Sequence, residues 1–168
     1  MKFRKISIAV FFVALAFALY VSPYIELHNL FMSIKDEKIS ILDYFVEPVT
    51  VENNIYERYR ESLFGNVDES TLDSNAIKLK RNMESSIKFA IDIIVEPENI
   101  AVLLEALRKG KTPDGKTLHS SYEYEGFNTF VINFEQEGKQ QKVVLSRRYL
   151  LTWKITDLVF PTDLKTLQ

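Results

Sequence analysis

Residues 129–138 read TFVINFEQEG, and in residues 130–134 every second side chain is Phe or Ile. The alternation returns at Val143 and Leu145, after the Glu137-Gly138 pair. A period of two is typical of half-buried β-strands, and a glycine between two such runs supplies a turn. The pattern predicts three or four antiparallel strands, at about 120–125, 127–136, 140–148 and 150–160.

Helical patterns occupy the chain before these strands. Apolar residues recur at spacings of three and four, and Gly65 and Gly110 are placed to end two of the helices. Helices are predicted over 25–34, over 39–46, from a cap at Thr50 to Leu63, from a cap at Ser74 to Ile94, and over 97–109. The inward face predicted for the Ser74 helix holds Ile77, Met83, Ile87, Ala90, Ile91 and Ile94.

Breaks are expected at Lys35-Asp36-Glu37 and over the polar, acidic residues 66–73. Helices first and a strand meander last predict an α+β fold, in which several helices pack on one face of a C-terminal antiparallel sheet.

An uncharged apolar segment, residues 6–21, follows a short basic start at residues 2–5. Its 16 residues fall just below the ~17–25 that span a bilayer as a helix, and just above the length of a signal-peptide core. Three alternatives remain: an uncleaved membrane anchor, a signal peptide cleaved after Ala16-Phe17-Ala18, and a buried helix of a soluble protein. The apolar residues that continue past Ala18 favour the anchor.

The basic start also sets the expected orientation, because basic flanks stay in the cytoplasm. We expect residues 1–24 to be the anchor or signal segment and residues 25–168 to form one extracytoplasmic domain. The protein is then a single-pass protein of the inner (cytoplasmic) membrane, and its domain faces the periplasm or the exterior. Residues 6–21 contact the lipid bilayer, with Tyr20 and Tyr24 at the outer interface.

The composition excludes several classes of site. The 168 residues include no cysteine, which excludes disulfides and thiolate metal sites. The formal net charge is −2, and it becomes −5 without Lys2, Arg4 and Lys5. An acidic domain without clustered Lys and Arg is a poor nucleic-acid binder, so no nucleic-acid partner is expected.

One stretch matches a nucleotide-binding pattern. Residues 110–117, GKTPDGKT, satisfy G-x-x-x-x-G-K-[ST]. A phosphate-binding loop needs a strand before it and a helix after it, whereas here the predicted order is reversed and Pro113 removes an amide from the cradle. We expect a polar helix-to-strand turn, and no nucleotide binding at Lys116.

The other residues able to support chemistry are scattered along the sequence. His28 and His119 have no neighbouring His or Cys at metal-ligand spacing, and Ser120-Ser121 lack a base. The glutamates near the strands are expected mostly on a solvated face: Glu96, Glu98, Glu123, Glu125, Glu135 and Glu137. No catalytic residue, cofactor site or metal site is predicted.

Trp153 is the most informative aromatic residue. On an alternating strand it shares a face with Leu151 and Ile155, and packing between the sheet and the helices is the first expectation. The alternative is a ligand pocket between helices and sheet. The residues predicted to line the core or that pocket are Phe130, Phe134, Tyr149 and Trp153.

Segments near both ends of the chain carry a family resemblance. Tyr20-Val21-Ser22-Pro23-Tyr24 follows the apolar segment directly, Leu42-Asp43-Tyr44-Phe45-Val46 comes after the first break, and residues 146–161 close the chain with SRRYLLTWKITDLVFP. Together they resemble the bacterial domain-of-unknown-function 2939 family, with residues 50–118 matched by element order. The resemblance implies a membrane-anchored domain and supplies no activity. The element order is also similar to the nuclear transport factor 2-like α+β roll.

Three functions fit these observations. The first is a non-enzymatic, membrane-tethered module that binds a small apolar ligand or an envelope protein outside the cytoplasm. The second is a structural accessory subunit of a cell-envelope complex, and the third is a small pocket enzyme of the α+β roll type. An enclosed apolar pocket favours the first, an exposed apolar patch the second, and a buried carboxylate beside another polar group the third.

Overall fold

The chain folds as a series of helices followed by a sheet, and the computed structural model describes residues 2–36, 38–65, 67, 70, 72–136 and 138–161. For residues 2–7 and 39 it describes the backbone alone. The helices are α1 (Lys2–Lys35), α2 (Leu42–Phe45), α3 (Pro48–Phe64), α4 (Ser74–Val95) and α5 (Pro97–Lys109), with a 3-10 turn at Ile39–Ile41. Parts of the predicted breaks, strand turn and C-terminus lie outside the described residues, namely Glu37, residues 66, 68, 69 and 71, Glu137, and residues 162–168.

The sheet is an antiparallel meander in the order β1-β2-β3-β4. Its strands are β1 (His119–Gly126), β2 (Thr129–Gln136), β3 (Lys139–Arg147) and β4 (Trp153–Val159). Tyr122, Ile132, Val143 and Leu158 lie opposite one another across the four strands. The predicted α+β fold is confirmed, and the bounds of the four predicted strands shift by at most three residues.

One face of the sheet, called the inner face here, is covered by the helices and filled with large side chains. The inner-face residues that are at most 2% exposed are Phe130, Ile132, Phe134, Val143, Leu145, Trp153, Ile155 and Leu158. Val51 and Ile55 of α3 and Leu104 of α5 belong to the same buried cluster. Each such side chain contributes about 1.5–3 kcal/mol when it leaves water, so this apolar cluster is the main source of stability.

Helix α1 continues through Pro23 instead of ending there. A proline has no N–H to donate to the carbonyl four residues earlier, which leaves the Leu19 oxygen unpaired within the helix. That oxygen accepts a hydrogen bond from Ser22 Oγ at 2.8 Å and another from the Arg147 guanidinium at 3.3 Å. The domain therefore satisfies the carbonyl that Pro23 leaves open, and α1 crosses the expected boundary at residues 24 and 25 as one helix.

Two predicted helix caps are wrong by one to three residues. Helix α3 begins at Pro48 and its N-cap is Glu47, not Thr50, because proline fits the first helical position where no N–H is needed. Helix α4 is capped by Asp73, not Ser74, and the Asp73 carboxylate accepts a hydrogen bond from the Ala76 N–H at 2.7 Å. A carboxylate at this position also interacts favourably with the helix dipole.

The inward face predicted for α4 is correct only near the end of the helix. Ile91 is buried, whereas Met83 and Ala90 are exposed. The reason is that α4 lies along α3, with the Lys88 ammonium 5.2 Å from the Tyr56 ring centroid, and only its last turns reach the core.

Candidate functional site

Trp153 lies at the centre of an aromatic cluster between α1 and the sheet. Its ring centroid is 5.9 Å from that of Tyr124 and 6.3 Å from that of Phe130, and the Arg147 guanidinium lies 4.3 Å from it. The indole Nε1–H donates a hydrogen bond of 2.8 Å to the buried Ser22 hydroxyl. Phe130, Phe134 and Trp153 are thus buried in the packed inner face of the sheet, and of these three Phe134 also borders a described pocket at the edge of the sheet.

Tyr149 differs from the other three predicted residues, since it lines neither the core nor a pocket that the structure describes. It is 76% exposed in the turn between β3 and β4. Leu151, the expected neighbour of Trp153 on the inner face, is also exposed in this turn. The alternation of an ideal strand does not apply there, because β4 begins only at Trp153.

A shallow pocket of about 220 Å³ brings together His119, Ser120, Ser121 and Glu135 at the edge of the sheet. His119 and Glu135 are cross-strand neighbours. In the part of the chain that the structure describes, no hydrogen bond joins His119 to either serine; Ser120 Oγ instead contacts the Tyr122 hydroxyl at 3.4 Å. The geometry therefore does not bring a serine nucleophile together with a histidine base in this pocket. The other histidine, His28, lies exposed on α1.

The stretch that matches the nucleotide-binding pattern forms a closed turn between α5 and β1. The Thr112 N–H donates to the Lys116 carbonyl at 2.9 Å, and the Gly115 N–H donates to the Thr112 carbonyl at 2.9 Å. The Lys116 ammonium pairs with Asp114 at 2.9 Å. These amides are therefore used inside the turn, and the order helix, loop, strand is the one expected from the sequence.

An open groove of about 790 Å³ lies at the end of α1 that is remote from residues 6–21. We call it the distal groove. It is lined by Ile34, Lys35, Leu42, Glu98, Ala101, Val102, Glu105, Ala106, Lys109, Lys111, Thr112, Pro113 and Gly115. The α5 residues in this set recur at helical spacing, so one face of α5 forms the floor along about 16 Å.

Ion pairs fix the charged side chains in the middle of the distal groove. Glu105 accepts hydrogen bonds from Arg108 Nε at 2.6 Å and pairs with Lys109 at 2.9 Å. The hydrogen bonds from Arg108 lower the pKa of the Glu105 carboxyl to about 2. The pKa of Asp114 is also lowered, first by its hydrogen bond from Thr112. Both carboxylates are therefore ionised at neutral pH and serve as acceptors, not as proton donors.

The two ends of the groove carry opposite charges. Glu98 lies in the first turn of α5, whereas Lys109 and Lys111 lie at its other end; Lys35 from α1 also lines the groove. In the described ranges, Lys35 and Lys111 have no ion-pair partner. The groove thus combines an apolar floor with two lining cations that are available to an acidic group.

Sequence reasoning missed this groove because its walls come from distant parts of the chain. Ile34, Val102 and Pro113 are brought together only when α1, α5 and the turn after α5 pack against one another. The one available signal was Val102, a large apolar residue between Glu98 and Glu105.

The described residues hold no group of three or more His, Asp or Glu side chains placed to bind a metal ion. The glutamates expected on the outer sheet face are paired across strands: Glu123 with Asn133, and Glu135 with Gln140. Helix α1 is the described helix that is long and apolar enough to cross a membrane, with a mean hydropathy of 2.2 over 18 of its residues. Comparisons of the chain with protein-family models, with curated proteins and with solved structures found no match.

Proposed function

We propose that this protein is a non-enzymatic interaction module, tethered to the cytoplasmic membrane by α1, which binds an extended peptide segment of an envelope protein in the distal groove. The observation that carries the proposal is the position of that groove. It opens beside Ile34 and Lys35, at the end of the helix whose other end is the apolar segment. A tether that starts at one end of a helix leaves the far end free to meet a partner.

Contacts between α1 and the sheet support an uncleaved tether. The Tyr124 hydroxyl donates to the Tyr20 carbonyl at 2.7 Å, and the rings of these two residues stack at 5.6 Å. Arg147 bonds to the Leu19 carbonyl. Cleavage after Ala18 would place a charged chain end next to these contacts, so they favour a helix that stays joined to residues 6–21.

The proposed orientation predicts a labelling pattern. The chain has no cysteine, so single-cysteine variants report on one position each. In spheroplasts, Lys78→Cys on the exposed face of α4 is expected to react with a membrane-impermeant maleimide, whereas Lys2→Cys reacts only after lysis. The opposite pattern, with position 2 labelled and position 78 protected, would place the domain in the cytoplasm and refute this part of the proposal.

The chemistry of the distal groove indicates what it binds. Its length along α5, about 16 Å, matches about five residues of extended chain at ~3.3 Å each. Its floor of Ala101, Val102 and Ala106 suits small apolar side chains, and Lys35 and Lys111 suit a carboxylate. The best fit is a short segment with alternating apolar residues and an acidic residue near the lysines.

A peptide selection tests this assignment. Displayed peptides of random sequence are selected on the full chain in lipid nanodiscs and then measured against variants. Val102→Gln is expected to weaken binding about tenfold, since burying a valine side chain contributes about 1.5 kcal/mol and 1.4 kcal/mol corresponds to a factor of ten. Lys111→Glu is expected to lower the affinity for acidic peptides further. This loss of affinity should be smaller at high salt, because salt screens the charges.

Two matched variants serve as controls for the peptide selection. Phe89→Gln removes an exposed apolar side chain from α4, and Lys78→Glu reverses an exposed charge there; neither residue lines the groove. Selected peptides should bind these two variants as they bind the wild type. Peptides that lose affinity with Phe89→Gln and not with Val102→Gln would move the binding surface to α4.

A structural subunit of an envelope complex is the second candidate function, and α4 favours it. Leu79, Phe89 and Ile93 are exposed on this helix, although nothing in the fold of the described chain requires apolar side chains there. Solvent-exposed apolar side chains grouped on one element often mark a protein contact. The Phe89→Gln arm of the selection separates this candidate from the groove.

A further inference from the structure

We propose that the tips of two β-hairpins enter the lipid bilayer beside α1, so that the domain sits partly in the membrane; this inference rests on the proposed tether. The first tip is the β1–β2 turn with Phe127, and the second is the β3–β4 turn, residues 148–152. In a four-stranded meander these two turns lie at the same end of the sheet. The Arg147 N–H donates to the Asn128 carbonyl at 2.9 Å and joins them.

The composition of the tips is unusual for surface turns. Phe127, Tyr149 and Leu150 are 69%, 76% and 67% exposed, and Leu151 is about half exposed. Turns normally carry Gly, Pro, Asn, Asp and Ser. A cluster of four large apolar side chains at one end of the sheet is therefore explained by contact with an apolar phase and not by folding.

The tips lie beside the part of α1 that belongs to the uncharged run. A cleft of about 420 Å³ is lined by Ala16, Leu19 and Tyr20 on the helix side and by Tyr124, Gly126, Phe127 and Arg147 on the sheet side. Arg147 makes the connection: its guanidinium bonds to the Leu19 carbonyl at 3.3 Å and to the Phe127 carbonyl at 3.3 Å. The level of the tips along α1 is thus residues 16–22.

The length of the uncharged run places this level below the membrane surface. Between Lys5 and Glu26 the chain has 20 residues without a charge, which as a helix span about 30 Å, the thickness of the hydrocarbon core. Leu19 is six residues, or about 9 Å, before Ile25, the last residue of that run. Side chains level with Leu19 therefore reach the depth of about 5–10 Å at which interfacial apolar groups bind.

The charges around the tips are compatible with contact between the tips and the membrane surface. The tip residues 127, 128 and 148–152 include one charged residue, Arg148, and Arg147 lies next to it at the end of β3. The Arg147 guanidinium is held between the Phe127 and Trp153 rings, at 4.7 and 4.3 Å from their centroids. Arg148 lies at the surface and pairs with Glu47, so the charge that the β3–β4 tip carries is compensated. The occupant of the apolar tip surface is therefore the outer leaflet that surrounds α1.

Depth-dependent fluorescence quenching tests the inference on the full chain. Single-cysteine variants at Phe127, Leu150, Val13 and Leu79 are labelled with an environment-sensitive dye and reconstituted into phosphatidylcholine–phosphatidylglycerol vesicles that contain spin-labelled lipids. We expect lipids labelled near the headgroup to quench the dyes at 127 and 150, and lipids labelled deep in the acyl chain to quench the dye at 13. The dye at 79, an exposed aliphatic position on α4, is expected to stay unquenched.

The four positions separate the two ways in which this could fail. Quenching at 13 with none at 127 and 150 overturns the hairpin insertion and leaves the tether standing. No quenching at 13 overturns the tether, and the insertion with it. A blue-shifted dye at 150 that lipid spin labels do not quench would assign the tips to a contact between copies of the chain, which also overturns the inference.

Discussion

Replacing Trp153 with alanine is expected to lower the free energy of unfolding by about 3–5 kcal/mol, the range for removing a large buried aromatic side chain. Trp153 is 1% exposed and contacts the rings of Tyr124 and Phe130. Its loss opens a cavity at the point where α1, β2 and β4 meet. A domain at the lower end of the usual range of about 5–15 kcal/mol would then be partly unfolded at 37 °C.

Urea denaturation of the full chain in detergent micelles, followed by circular dichroism, measures this effect. Trp153→Phe retains most of the ring volume and removes the bond from Nε1 to Ser22, so a smaller loss is expected. Ser22→Ala leaves the buried indole N–H without its acceptor, at a cost of about 1–3 kcal/mol. A loss below about 1 kcal/mol for Trp153→Ala would contradict the core assignment and would revive the pocket alternative.

The fold was predictable where local patterns and packing agree. The alternation around Phe130 to Phe134 correctly predicts β2, since one face of that strand is buried against helices. The glycines at 65 and 110 follow α3 and α5 as predicted. Gly110 adopts a φ of 63°, a left-handed conformation that glycine reaches without strain.

Errors arose where the chain leaves ideal geometry. The long β3–β4 turn breaks the alternation before Trp153, which is why Leu151 was wrongly assigned to the face of Trp153 and Tyr149 to the core or a pocket. Only part of the environment of Trp153 could be predicted from the sequence. Its burial follows from the strand pattern, but its hydrogen bond to Ser22 joins residues that are 131 positions apart. No sequence period reports a contact of that kind.

The candidate sites were less predictable than the fold. The distal groove and the hairpin tips both depend on which elements are neighbours in space, and sequence spacing does not give that. Tyr149 and Phe127 are informative because they are exposed, whereas Trp153 is informative because it is buried. A sequence pattern normally assigns large aromatic residues to a core, so it does not identify the exposed ones. The role of an exposed aromatic residue can be inferred only after the turn that carries it has been located in the fold.

The contact of α3 with the edge of β4 gives a second large effect. Asn54 Nδ2 donates to the Thr156 carbonyl at 2.9 Å, and Arg58 Nη1 donates to the Leu158 carbonyl at 3.2 Å. These bonds cover carbonyls at the edge strand that would otherwise be open to another chain. Arg58 also pairs with Asp157, whose side chain is only 15% exposed and whose Oδ1 has no hydrogen-bond partner in the described chain.

Arg58→Met is therefore expected to lower the free energy of unfolding by about 2–4 kcal/mol. The range lies at or below the ~3–5 kcal/mol for breaking a fully buried pair, because the Arg58 side chain is 29% exposed and water screens part of the charge. Most of this cost comes from the Asp157 carboxylate, which stays partly buried without its cation, and not from the lost attraction itself. Methionine retains the aliphatic packing of the arginine stem.

A double-mutant cycle in urea separates the two contributions. If the unpaired carboxylate is the main cost, Asp157→Asn should recover more than about half of the loss when it is combined with Arg58→Met, since the amide carries no charge to desolvate. Asn54→Ala is a matched control, because it removes one bond to β4 without leaving a charge behind, and it should cost about 1 kcal/mol. A double variant no more stable than Arg58→Met would show that the guanidinium acts through the Leu158 carbonyl and the strand edge. In that case the ion pair with Asp157 would not be what holds α3 against β4.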